Sequence, residues 1–211
     1  AETIQGEAGA IAAEKDFLYQ LRKKCDENGV LLILDEIQAG CGRSGSLWAF
    51  EQYDAVPDII TLAKGMGGGL PIGAFISSKE IMHSLTHDPV LGHITTFGGN
   101  AVCAAAANAN LQIIIRDKLW ENASRQGELF RELLVHDKIR SIRGKGLLLA
   151  AEFESFDENK LIIDRLIEKG IVTDWFLFAP NCLRIAPPLI ISDEQTREAC
   201  KIIIETLDDI F

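Results

Sequence analysis

The 211-residue sequence lacks several features that would assign it to a functional class at once. No apolar run approaches the roughly 18 residues needed to span a bilayer, which argues against a membrane protein. Basic residues are in deficit: 21 Lys and Arg against 31 Asp and Glu give a net charge of −10. A chain this acidic lacks the attraction for phosphate backbones that dominates nucleic-acid affinity. Cysteine is sparse and unpaired in pattern. Cys25, Cys41, Cys103, Cys182 and Cys200 are odd in number and contain no CxxC pair, so neither a disulfide framework nor a zinc site is expected. Glu2, Glu7, Glu14 and Asp16 make the first twenty residues too acidic for a signal peptide. Reduced thiols and this acidity together point to a cytoplasmic setting. There is no internal repeat, no low-complexity segment and no initiator methionine, and the opening residues already read as a strand end. The chain therefore reads as a piece of a longer protein.

What is present is an alternation of helical and strand patterns, the signature of an α/β fold. Phe17, Leu18, Leu21 and Cys25 recur at helical spacing, and Asn28-Gly29 ends that helix. Val30 to Leu34 is a continuous apolar run, expected as a strand covered on both faces, and it ends in Asp35-Glu36. Asp58 to Lys64 is expected as a second strand, broken by Gly65 and Gly67 to Gly69, and Ala74 to Ser78 as a third. A short helix starts at Lys79, and a long Ala-rich one spans Ala101 to Ile115. The texture changes near residue 117, which suggests two units, 1–116 and 117–211. The second has a polar helix near 118–135, a strand at Leu147 to Phe153 and another at Leu183 to Ala186. Ser155 with Glu158, and Ser192 with Gln195, have capping-box spacing for two further helices.

Two successive buried strands thus end in opposite charges, Asp35 and Lys64, at the sheet edge where open α/β folds bind ligands. A charge at the end of an apolar strand is costly unless something pairs with it. A structural Asp–Lys ion pair is one explanation. A second is the metal-binding strand of a P-loop ATPase. That needs G-x-x-x-x-G-K-[ST], and around Gly144-Lys145 the first position is Ile139 and the last Gly146. A third is pyridoxal-phosphate chemistry, in which a lysine amine engages the cofactor aldehyde and a carboxylate keeps the pyridine nitrogen protonated. The glycines after Lys64 favour a lysine that backbone and ligand can approach closely.

Further segments fall in one order: Glu2-Thr3-Ile4-Gln5-Gly6-Glu7, Leu34-Asp35-Glu36-Ile37-Gln38-Ala39-Gly40, Gly42-Arg43-Ser44-Gly45, Leu62-Ala63-Lys64-Gly65, Gly68 to Gly73, Thr95 to Asn100 and Leu183 to Leu189. In this series the chain resembles the class III pyridoxal-phosphate aminotransferases, the ornithine, acetylornithine and 4-aminobutyrate type. The resemblance covers nearly all of the chain but only about the C-terminal half of such an enzyme. It implies a fold-type I transferase: the C-terminal part of a large α/β cofactor domain over 1–116, then the small α+β domain over 117–211.

The resemblance also implies roles. Lys64 would be the Schiff-base and proton-shuttling residue. Asp35 would hold the pyridine nitrogen, Gln38 the ring hydroxyl, and Thr96 the cofactor phosphate of a neighbouring subunit, making a homodimer the functional unit. Arg184 would bind a substrate carboxylate, and Glu2 and Glu7 would line the substrate side. Glu7 is further expected to pair with Arg184 as a gate between donor and acceptor. The reaction implied is ping-pong transfer of an ω- or δ-amine, from ornithine, acetylornithine or a related amino acid, to a 2-oxo acid. Neither a metal, nor nucleic acid, nor a membrane enters. An aminomutase or racemase of the same fold would retain Lys64 and Asp35, and an inactive fragment is the remaining alternative. Thr3 and Ala101 depart from prolines common in the family. The family's Ser-Gly phosphate loop and ring-stacking aromatic have no counterpart, since both lie upstream of residue 1. His93 beside Gly92 is read as a loop histidine, Cys41 as a small filler, Lys145 as a turn residue, and Glu36 as a support for Arg43 or a helix end.

Overall fold

The structure, a computed structural model, describes residues 1–90 and 93–211. It opens with a small antiparallel hairpin, β1 (Ile4–Gln5) with β2 (Ile11–Ala12). Ahead of it, Glu2 bridges Asp35 in parallel, and Ala1 accepts from the Asp35 N–H at 2.8 Å. The first residues therefore lie beside the first sheet as an added edge, in keeping with their strand-like pattern.

Helix α1 (Lys15–Asn28) ends at Gly29, whose φ of 63° is the left-handed conformation that a glycine adopts without penalty. The sheet it covers has the order β3 (Ile33–Asp35), β4 (Ile59–Leu62), β5 (Ala74–Ser77). The first pair is parallel and the second antiparallel. The expectation of a strand buried on both faces is not met. Leu32 and Leu34 are 4% and 0% exposed, whereas Leu31 and Ile33 are 50% and 44% exposed. Leu18, Tyr53 and Ala55 cover the first pair, and the second pair stays half-exposed. The strand is also shorter than the apolar run, starting at Ile33.

The second strand ends at Leu62, and Lys64 instead opens a 3-10 turn, Lys64–Gly67, with φ of 44°. Few non-glycine residues sit there, and holding one costs roughly 1–3 kcal/mol. After the short α2 (Lys79–His83) comes α3 (Ala101–Arg116). Asn100 caps α3 by accepting from the Val102 and Cys103 N–H groups, as a short polar side chain at an N-cap can.

Past Lys118 the chain builds a second layered unit. Its helices are α4 (Leu119–Leu133), α5 (Phe156–Glu168) and α6 (Asp193–Ile210). Its strands are β6 (Ser141–Lys145), β7 (Leu148–Glu152), β8 (Trp175–Phe176) and β9 (Ala179–Ile185), in the antiparallel order β6-β7-β9-β8. Phe130, Leu149, Phe153, Leu166, Leu183 and Leu207 fill the space between sheet and helices. Ser192 and Gln195 form the full reciprocal cap expected of them. Ser155 accepts from Glu158 N–H, but the Glu158 carboxylate takes the N–H of Glu154. Strands β6 and β8 were not anticipated, and Lys145 is the last residue of β6 instead of a turn residue, its ammonium 5.6 Å from the Tyr53 ring centre.

Candidate active site

A cleft of about 450 Å³ opens where the end of β4 faces the end of β9. Lys64, Gln38, Arg43 and Arg184 supply its polar lining, and Ile113, Ile114 and Leu189 much of its apolar wall.

Lys64 is presented by its backbone. The turn beneath it is closed by Met66 N–H donating to the Ala63 carbonyl, and Asn110 of α3 donates to the carbonyls of Gly65 (2.7 Å) and Met66 (3.3 Å). Met66 is buried while Lys64 is exposed, so the side chain is free to project. Among the described residues Lys64 forms no ion pair, with Asp35 or any other carboxylate. The structural Asp–Lys pair is thereby set aside. Cys41, which also lines the cleft, has a positive φ of 55°, and burial pushes its thiol up to about 11, so it is a filler and not a nucleophile at neutral pH.

Asp35 ends β3. Its Oδ1 accepts the Ile37 N–H at 2.9 Å, and its other oxygen takes no protein hydrogen bond among the described residues. One turn on, Gln38 donates from Nε2 to Glu7 Oε1 at 2.9 Å. Gly6 leaves room for it: a Cβ at that position would lie 2.7 Å from the Gln38 amide, which would have to shift.

Glu7 carries the densest set of contacts. Its Oε2 accepts from Leu177 N–H (2.9 Å) and Arg184 Nη2 (3.0 Å), and Oε1 from both terminal nitrogens of Arg184 at 3.3 Å. Burial raises the Glu7 carboxyl, but the Leu177 N–H, Arg184 and Gln38 outweigh it and bring it down to about 2. Arg184 also donates to the Trp175 carbonyl and lies 4.4 Å from the centre of the Phe176 ring, a cation–π distance. Asp174 Oδ1 stands 2.9 Å from its Nε as an ionic contact, without the N–H pointing at it.

The other expected site residues are placed differently. Glu2 accepts from the Gly6 N–H at 2.8 Å and does not line the cleft. Thr96 lies exposed in the turn before α3 and does not line the cleft. Glu36, 1% exposed, accepts from the N–H groups of Ala49 and Phe50 and from the Thr3 hydroxyl; it caps a 3-10 turn and does not touch Arg43. His93 Nδ1 pairs with the Leu85 carbonyl in a loop; Gly92, named with it, lies outside the described residues. Sequence reasoning missed what Arg43 does, although it lies in a quoted glycine turn: its Nη1 donates to the carbonyls of Pro187 and Leu147. Among the described residues no group of acidic, histidine or cysteine side chains could hold a metal, and no helix is long and apolar enough to cross a membrane.

Residues 1–207 match the model of the class III aminotransferases. The chain belongs to this family. It is 40% identical to the acetylornithine aminotransferase of Caldanaerobacter subterraneus subsp. tengcongensis, over 99% of the chain and 53% of that protein. It is 37% identical to that of Methanocaldococcus jannaschii, over 100% of the chain and 51% of the relative. Among solved structures, the ornithine aminotransferase of Toxoplasma gondii superposes with a TM-score of 0.91 at 34% identity, covering 100% of this chain and 50% of that one. The acetylornithine aminotransferase of Elizabethkingia anophelis gives 0.90 at 37%, covering 99% and 53%. The chain thus spans about half the length of the relatives it matches. Its architecture is accordingly the α/β fold of pyridoxal-phosphate-dependent aminotransferases.

The class III family implies pyridoxal phosphate, and the cleft suits part of it. Lys64, a cleft amine with no ionic partner, and Asp35, a carboxylate with one uncommitted oxygen at the end of β3 and outside the cleft lining, are the donor types for the aldehyde and the ring nitrogen. For the phosphate, the cleft's two arginines are already engaged, with carbonyls and with Glu7. The phosphate end therefore needs donors from elsewhere.

Proposed function

We propose that this chain is the lysine-bearing part of a pyridoxal-phosphate-dependent aminotransferase that moves an ω- or δ-amine, of ornithine, acetylornithine or a related amino acid, to a 2-oxo acid. The observation that carries the reading is Lys64, an amine without an ionic partner, sharing one cleft with an arginine held by a displaceable carboxylate. Family membership, and relatives named acetylornithine and ornithine aminotransferases, support it.

When bound, the cofactor supplies an aldehyde that takes up the donor's amino group and a ring that accepts electrons. The protein's part is positioning and proton transfer. Lys64 Nζ would hold the aldehyde carbon and, once displaced, carry the proton at the amine-bearing carbon. The free oxygen of Asp35 would accept the ring N–H, and Gln38 would meet the ring hydroxyl. Arg184 would orient the 2-oxo acid through its planar fork. Glu7 occupies that fork while an ω-amine donor reacts, and Glu2, ahead of β1, holds the Gly6 N–H next to it. We further infer a division into a cofactor unit, 1–116, and a small unit, 117–211. A cytoplasmic homodimer, in which Thr96 serves the partner's cofactor phosphate, completes the reading.

The test uses the intact enzyme supplied with pyridoxal phosphate. A visible absorption band that bleaches with ornithine or acetylornithine and returns with a 2-oxo acid, yielding the corresponding amino acid, is the expected result. A band with isomerised product and no 2-oxo acid consumed would indicate a mutase or racemase. Absence of any band would defeat the cofactor assignment.

A further inference from the structure

Arg43 stands in the cleft without a counter-ion: among the described residues no carboxylate pairs with it. Burial lowers its guanidinium to about 10, so the charge is held at a cost that no ion pair offsets. What it does contact are two carbonyls of the second unit, Pro187 at 2.6 Å and Leu147 at 3.1 Å, both from Nη1. Its own carbonyl accepts the Leu147 N–H at 2.9 Å, so residue 147 is held from both sides.

The surrounding turn is built for this contact. A Cβ on Gly146 would fall 2.6 Å from the Arg43 carbonyl and from the Gly45 N, and one on Gly42 would fall 3.2 Å from Leu189. The backbones of the 42–45 turn and of 144–147 therefore touch with no side chain between them. Pro187 lies three residues beyond Arg184 on the same strand exit, while Arg43 lies five beyond Gln38 on the segment that leaves β3. One side chain thus spans from the layer that presents Lys64 to the segment that presents Arg184.

Resting on the aminotransferase reading, we propose that Arg43 is a positioning residue that sets the separation between Lys64 and Arg184, and so specifies acceptors whose carboxylate sits on the carbon next to the carbonyl. An α-carboxylate leaves only one bond between the reacting carbon and the group Arg184 grips. Misplacement by about 1 Å in such a geometry costs on the order of a hundredfold in rate. A tether of two charge-assisted bonds, closed by glycine contacts, holds the spacing that tightly. The carbonyls need directional donors and not a counter-charge, which fits the planar guanidinium better than an ammonium.

The experiment uses the intact holoenzyme and its Arg43→Lys and Arg43→Gln variants. Amino-loaded enzyme is mixed in single turnover with pyruvate, or with propanal, which has the same carbon count and no carboxylate. A tether predicts that both variants lose at least tenfold in kcat/KM with pyruvate and less than threefold with propanal, lysine being the milder. Equal losses with both acceptors, the mark of a merely structural residue, would overturn it, as would no loss with either. Wild-type enzyme that fails to regain its band with any 2-oxo acid would instead defeat the aminotransferase reading. The tether is then decided by the crystal structure of the Arg43→Gln holoenzyme. A displaced Pro187 segment relative to Lys64 supports it, and an unchanged separation refutes it.

Discussion

Glu7 and Arg184, 177 positions apart in sequence, meet through three hydrogen bonds of 3.0 to 3.3 Å. The arginine cannot shed its charge, and in an empty cleft this partner and the ionic contact with Asp174 balance it. The carboxylate in turn is fixed by Leu177 N–H and Gln38 on its flanks. Arg184 is thereby masked from the wrong end of a diamino donor, and a 2-oxo acid must displace Glu7 to reach it. Arg184→Lys should weaken the 2-oxo acid half-reaction by about 2–5 kcal/mol, the range for truncating a hydrogen-bonded charge pair. Glu7→Ala should unmask Arg184 and raise reaction through the α-amine of the donor relative to the ω-amine. Single-turnover absorbance of the intact enzyme reads both half-reactions. An unchanged α to ω preference in Glu7→Ala would reduce the pair to a structural contact.

The same pair has a pH signature. Glu7 titrates at about 2 in the folded protein against 4.5 ordinarily. A carboxyl whose folded value is depressed contributes stability that is fully present above the ordinary value and is lost as pH falls toward the folded one. The window is therefore about 4.5 down to about 2. With the Glu7 side chain 28% exposed, screening holds the contribution to roughly 2 kcal/mol. Glu7→Gln should be less stable than wild type by about that amount at pH 6, and the gap should narrow below about pH 4.5 and close only near pH 2. Paired urea titrations across this range check it. A gap that is independent of pH would show that the charge of Glu7 contributes nothing.

Lys64 is the position at which cofactor should be trapped. Borohydride reduction of the intact enzyme loaded with pyridoxal phosphate, followed by peptide mapping, should place the pyridoxyl group there. Lys145 is the informative control, because its ammonium is occupied over Tyr53, and Lys79 opens the short helix α2, outside the cleft lining. Label on either in place of Lys64 would remove the basis of the site.

Local signals in the sequence were dependable where one residue type serves one purpose. Gly29 ends α1, Ser192 and Gln195 open α6, and the Ala-rich stretch is α3. Strands β6 and β8 escaped notice for a physical reason. Ser141–Lys145 contains two charges and a glycine, and is a strand because β7 pairs with it, not through its own propensity. The apolar run at 30–34 misled in the other direction, since apolar side chains do not specify what packs on them, and Leu31 and Ile33 stay 50% and 44% exposed. For the site, residue types at sheet edges pointed to Asp35 and Lys64. The pairing of Glu7 with Arg184 was expected from the family resemblance and is present, whereas the Leu177 N–H that also fixes Glu7 depends on how the β8–β9 hairpin folds over the first turn, which no local pattern encodes. Arg43 was visible in the glycine turn, but its partners are main-chain carbonyls more than a hundred residues away, and carbonyls leave no mark in a sequence.

Gly127 offers the sharpest test of the packing that supports this arrangement. A glycine inside a helix such as α4 ordinarily costs about 0.5–1 kcal/mol relative to alanine, so Gly127→Ala would be expected to stabilise. Here the sign reverses. An added Cβ would fall 2.2 Å from the Gly146 carbonyl oxygen and 2.8 Å from its carbon, and both are backbone atoms. Gly146 has no room to retreat, with a φ of 54° and its far side against Arg43 and Gly45. Relief requires α4 to move from the sheet, and overpacking of this kind costs about 1–3 kcal/mol. Gly127→Ala should therefore destabilise the protein by about 2 kcal/mol in chemical denaturation. Gly65→Ala, at an open position with no atom within 4 Å, should change stability by less than about 0.5 kcal/mol. Gly127→Ala as stable as wild type would mean that α4 and the 144–147 segment do not touch as described, and the anchoring of Arg43 would lose its support with it.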